Sequence, residues 1–124
     1  MKKPLSLILF VFLYFFNSTL FAQLTQYFIL VNKTGLTIDK VFVAPITDSE
    51  SWSKDLLTEH PINDGEKATI SFNKSNFPDD CVWDIKINNI EDSPLSWYDI
   101  DLCRYHEITL RWDENKEKAW AELE

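Results

Sequence analysis

Four stretches of this chain alternate apolar and polar residues with a period of two, and that period constrains the fold more than any other feature. From Lys67 to Phe72, the residues Ala68, Ile70 and Phe72 fall on one face, opposite Lys67, Thr69 and Ser71. From Cys81 to Asn88, Cys81, Trp83, Ile85 and Ile87 point one way, and Val82, Asp84, Lys86 and Asn88 the other. From Leu95 to Leu102, Tyr98, Ile100 and Leu102 share a face opposite Asp99 and Asp101. From Tyr105 to Trp112, the face is His106, Ile108, Leu110 and Trp112. Successive side chains of a strand point to opposite sides of a sheet, so each stretch predicts a half-buried strand.

Three more segments complete the pattern. Gln26 to Val31 is rich in β-formers and reads as a strand. Asn32-Lys33-Thr34-Gly35 reads as a turn with Gly35 at a positive φ, and Thr37 to Ile46 as a second strand that Pro45 ends or places at an edge. These two strands are expected to form a hairpin. Lys118 to Leu123 is a short last strand or tail. Between Thr47 and Thr58 the chain is polar, with Trp52, Leu56 and Leu57 near helical spacing and Asp48 or Ser49 placed to cap a turn. A helix of one or two turns is expected there. About seven strands at short intervals with almost no helix predict an all-β fold: a single antiparallel β-sandwich, C2-like or immunoglobulin-like in topology, with one short helical loop. A parallel sheet would need a helix between strands.

The first 22 residues read differently. Lys2 and Lys3 precede an apolar run from Leu5 to Phe16, and Ala22 suits a cleavage site. The run is too short to span a bilayer, which takes ~20 residues. Residues 1–22 are therefore expected to be a signal peptide and residues 23–124 the sandwich domain, exported to the periplasm or the extracellular space. No second apolar segment reaches spanning length. Lys2 and Lys3 are two of the 12 basic residues, and all 20 acidic residues lie beyond residue 22, so 10 basic residues face 20 acidic ones in the exported part. That balance argues against nucleic acid and anionic membranes, whose phosphates demand excess Lys and Arg. It suits solubility, cations or a basic partner. Asn32-Lys33-Thr34 and Asn73-Lys74-Ser75 match the glycosylation sequon and are read as chance.

Cys81 and Cys103 are the two cysteines of the chain, and both lie in the exported part. An even number in an oxidising compartment predicts a disulfide. A hairpin about residues 89–94 would bring both to the same open end. Their parities differ, since Cys81 shares a face with Trp83 and Cys103 with Asp101; a bulge near Leu102, or a strand that ends there, would reconcile them. The alternative is a thiol or metal pair. With His106 the set is one ligand short of a structural zinc site, and a histidine on an apolar strand face is ordinarily packed and hydrogen-bonded.

Several residues together resemble a group of small exported bacterial proteins of unknown function. They are Phe28-x-x-x-Asn32-x-Thr34-Gly35, Ile38, Trp52, Asp55-Leu56-Leu57, Gly65, Cys81-x-Trp83-Asp84-x-Lys86 and Asp101-Leu102-Cys103. The resemblance spans most of residues 26 to 112. It implies a bacterial, exported β-sandwich with paired cysteines and transfers no activity. Some such proteins carry the label argininosuccinate lyase, a large helical oligomeric enzyme that a short β domain does not fit.

Three kinds of site come into consideration. Asp79 and Asp80 enter one predicted strand and Asp99 and Asp101 leave its neighbour, which would gather four carboxylates at one pole as a calcium site, since hard cations take several oxygen ligands. Trp52, Trp97, Tyr98 and Trp120 lie in loops or near strand ends, where aromatics can face a sugar or peptide ligand. His60 and His106 sit in no nucleophile elbow or catalytic-cysteine pattern, so no catalytic residues are assigned. The expectation is a non-enzymatic binding or interaction module of the bacterial envelope with a protein or cell-envelope partner. A calcium-dependent or carbohydrate-binding module is the second reading. No cofactor other than calcium is suggested.

Overall fold

The alternating stretches are strands in the computed structural model, which describes residues 24–124. The expected signal peptide, residues 1–22, lies outside the described residues. Seven strands run in the order β1 (Thr25–Lys33), β2 (Ile38–Pro45), β3 (Lys67–Asn73), β4 (Val82–Asn89), β5 (Pro94–Asp101), β6 (Glu107–Asp113) and β7 (Lys118–Leu123). They form a four-stranded sheet in the order β3-β1-β6-β7 and a three-stranded sheet in the order β2-β4-β5. The sheets pack as a sandwich. Phe28, Leu30, Ile70, Phe72, Ile108 and Leu110 point in from the larger sheet, and Val41, Val43, Trp83, Ile85, Ile87, Trp97 and Ile100 from the smaller. Burying each such side chain is worth roughly 1.5–3 kcal/mol.

Four features depart from the sequence expectation, each because hydrogen bonds between distant segments override a local preference. First, β1 and β6 pair in parallel, from Ile29 opposite Glu107 to Lys33 opposite Arg111, while the other pairs are antiparallel. No crossover helix is needed, because the chain between them builds the second sheet and β3 on its way. The strand partition also differs from that of an immunoglobulin domain, which would join the first, second, fourth and fifth strands in one sheet.

Second, β1 and β2 do not form a hairpin; they belong to different sheets. The buried side chain of Asn32 turns the corner. Its Nδ2 donates to the carbonyls of Leu36 (2.7 Å) and Ile62 (2.9 Å), and its Oδ1 accepts the N–H (3.1 Å) and hydroxyl (2.7 Å) of Thr34. Gly35 has φ of 80° as expected, and its N–H donates to Asp64 Oδ1 at 2.9 Å, locking this corner to the turn at residues 62–66.

Third, the helix expected within residues 47–58 does not form. After a single 3-10 turn at Ile46–Asp48, the chain runs extended beside β2. The N–H groups of Ser53 and Leu56 donate to the carbonyls of Val43 and Val41, both at 2.8 Å. Ser53 Oγ and Asp55 Oδ1 accept the N–H groups of Val43 and Val41, both at 3.0 Å. Ser and Asp side chains compete with helix in this way by bonding backbone groups. Leu56 is buried as a result.

Fourth, β5 is bulged. Its register against β4 shifts between Trp83 and Ile85, and Asp99 adopts the left-handed conformation with φ of 59°. The extra residue inverts the parity: Trp97 is buried beside Ile100, and Tyr98, expected to share the inward face with Ile100, points out.

Candidate functional site

The end of the β4–β5 pair carries the disulfide. Cys81 and Cys103 are joined, with Cα atoms 5.2 Å apart. β5 ends at Asp101, and Cys103 lies in the turn that follows, so the parity mismatch is resolved by the strand's end. Asp101 Oδ1 shapes that turn by accepting the N–H groups of Cys103 (3.1 Å) and Arg104 (3.2 Å). Among the described residues, Cys81, Asp101 and Cys103 are the one trio of metal-ligand types whose atoms converge, and the sulfurs there are spent on each other. His106 is exposed rather than packed on an apolar face; its ring stacks on Tyr27 with centroids 6.4 Å apart.

The four aspartates considered for calcium do not converge among the described residues, and two of their carboxylates have separate local duties. Asp80 Oδ2 accepts the Thr47 hydroxyl at 3.0 Å, Asp101 caps its turn, and the backbone of Asp99 is tied to Asp84 Oδ1 at 3.0 Å. Asp79 is exposed in the loop before β4. No three of these carboxylates join in a convergent group among the described residues.

The aromatic candidates divide. Trp97 is 3% exposed, and its indole N–H donates to the Trp120 carbonyl at 2.8 Å, so it ties the two sheets together from within the core and is not ligand-facing. Tyr98 and Trp120 are 67% and 40% exposed. Trp52 is half-buried, with Lys86 Nζ 4.4 Å from its ring centroid and 5.0 Å from that of Phe42. This cation–π contact pins the extended segment onto the smaller sheet.

A recess beside β3, which no sequence pattern announces, suits a binding role. The extended segment that covers β2 stands opposite the edge of β3 and leaves two hollows between them. One, of about 300 Å³, lies between residues 56–60 and Lys67, Ala68 and Thr69. The other, of about 160 Å³, is lined by Val43, Ser51, Trp52, Ser53, Phe72, Asn73, Asn76, Phe77 and Trp83. Neither could be read from the sequence, because the two walls are brought together only when residues 51–57 lie extended. Trp52 was the one signal, as an aromatic in a polar stretch. Glu59 and His60 at the rim are exposed.

No protein-family model matches this chain, and no curated protein matches it. Among solved structures, one described as the NMR structure of the protein from Eubacterium rectale is similar, with 12% sequence identity and a TM-score of 0.49, covering 81% of this chain and 88% of that chain.

Proposed function

We propose that the chain is an exported, non-enzymatic interaction module of the bacterial envelope, and that it binds a protein or envelope component at the recess beside β3. The observation that carries this reading is the pairing of an open strand edge with two hollows, one floored by Leu56 and Leu57 and the other by Phe72 and Trp83. Concave, partly apolar surface with a few polar groups is where partners are recognised. Export is supported by the leader read in residues 1–22 and by a disulfide, which persists in oxidising compartments. No membrane-spanning helix occurs among the described residues. A photo-crosslinking side chain placed at His60 in the producing cells tests the reading. A discrete adduct, absent when the same group is placed at Lys118 on β7, the opposite edge of the four-stranded sheet, is the expected result. Equal labelling at both positions, or turnover of ester, peptide or glycoside substrates by the purified protein, would overturn it.

A further inference from the structure

Sandwiches protect their sheet edges, since an open edge is a row of unpaired backbone groups. Three of the four edges here are guarded. That of β2 is covered by residues 51–62, whose backbone and side chains bond Ile38, Val41 and Val43. That of β5 begins with Pro94 and is broken by the bulge at Asp99. β7 lies against β5, with the Trp120 carbonyl holding Trp97. Among the described residues, the edge of β3 has no such guard. Lys74 N–H donates to Leu24 and Asn32 N–H to the Glu66 carbonyl, so the even-numbered residues of β3 face β1. The backbone groups of Lys67, Thr69, Ser71 and Asn73 point the other way and find no partner among the described residues.

We propose that β3 receives an extended peptide segment of a partner protein as an additional strand of the four-stranded sheet, with two apolar side chains of that segment entering the two hollows. This rests on the interaction-module reading above and deepens it. The hollows open beside Ala68 and Phe72, four positions apart on β3, or about 13 Å along a strand. Strand side chains repeat every second residue on a face, so the segment needs apolar residues at positions i and i+4. Its backbone supplies affinity and those two side chains supply specificity.

Charge selects the flanks. Glu59 stands at the rim of the first hollow, and beyond residue 22 the chain carries 20 acidic residues against 10 basic ones. Lys67 is the one cation on the open edge itself. A segment with basic residues outside its apolar pair fits this acidic domain. A second copy of the chain fits poorly: it would bring two acidic domains together, and the inward side chains Ile70 and Phe72 of its own β3 are already buried in its core.

The test uses the purified, oxidised protein and synthetic eight-residue peptides of Leu, Thr and terminal Lys. In one, Leu stands at the second and sixth positions; in another of equal composition, at the second and fifth. The first is expected to slow amide hydrogen exchange at Thr69 and Ser71 by about tenfold or more at saturation, and to bind about tenfold more tightly than the second. Binding is expected to weaken when Glu replaces the terminal Lys and when salt is raised. Methylating the peptide nitrogens on its pairing edge removes donors without touching the protein, and is expected to abolish binding. Thr69→Pro on the protein side removes an outward N–H and is expected to do the same. Undiminished binding of the methylated peptide, equal binding of the two spacings, or protection elsewhere on the surface would overturn the proposal. So would protection of Thr69 and Ser71 by protein concentration alone, which would indicate a second copy. A cellular adduct from position 60 that survives Thr69→Pro would sink strand addition while leaving the interaction module standing.

Discussion

The carboxylate of Asp84 accepts the main-chain N–H of Asp99 at 3.0 Å, across the β4–β5 pair and at the point where β5 bulges. Asp84 is buried although it points away from the core, and Asp99 holds φ at 59°. On one side of this bond Trp97 turns inward; on the other, Ile100 does. Without the extra residue between them, one of the two would face water.

Asp84→Ala is therefore expected to destabilise the fold by about 1–2 kcal/mol, the cost of losing a part-buried, charge-assisted hydrogen bond. Each kcal/mol corresponds to roughly 4–8 °C in melting temperature for a domain near this size. Asp99→Gly, which adopts a positive φ freely, is expected to stay within about 1 kcal/mol of the native protein. Thermal melts of the two variants decide the matter: equal losses in both would mean the bond does not hold the bulge.

Asn32 is the second buried polar anchor, with four hydrogen bonds that join the end of β1 to two turns. Asn32→Asp keeps the shape but removes both donors to Leu36 and Ile62. It is expected to cost at least about 2 kcal/mol, read as a lower urea midpoint. A midpoint within error of the native one would show that the corner holds without this side chain.

The Cys81–Cys103 bond closes a loop with a sequence separation of 22. Loop-closure entropy in the unfolded chain assigns it about 3 kcal/mol. The double Cys→Ser variant is expected to lose that much in denaturant titration while keeping its far-ultraviolet spectrum. A variant as stable as the native protein would contradict the chain-entropy account.

Calcium is expected to leave the melting curve of the oxidised protein where EDTA leaves it, because the carboxylates of Asp80 and Asp101 are engaged locally and the four aspartates do not converge among the described residues. A cation that bound only the folded state would raise the melting temperature by mass action. A calcium-specific rise that disappears in Asp101→Asn would reverse this conclusion.

Lys86→Met removes the cation above Trp52 and Phe42 but keeps most of the side-chain volume. A cation–π contact of about 1 kcal/mol predicts roughly fivefold faster amide exchange at Ser53 and Leu56, the residues that bond β2. Exchange unchanged at both amides would mean that the backbone bonds alone hold the segment.

Strand identity was legible because alternation is a local property. Every predicted strand lies within two residues of an observed one, and the inward faces at Ile70 and Phe72, at Trp83, Ile85 and Ile87, and at Ile108 and Leu110 are those the period indicates. The cysteine pair was legible from its even number and from the export that the leader led one to expect. The parity of Tyr98 was not, because one residue in a left-handed conformation puts the faces before and after it out of step, and the bond that stabilises it comes from Asp84, fifteen positions away.

The sequence by itself thus determined that this chain makes seven strands, with the inward face legible in β3, β4 and β6. Period-two alternation in β-formers has one economical burial, against a second sheet. Only the tertiary structure decided which strands share a sheet, that β1 meets β6 in parallel, and that residues 51–57 lie extended to guard β2 and leave β3 open. Those choices are made by backbone hydrogen bonds between segments far apart in the chain, and backbone groups are nearly the same in every residue, so the side-chain pattern carries little record of them.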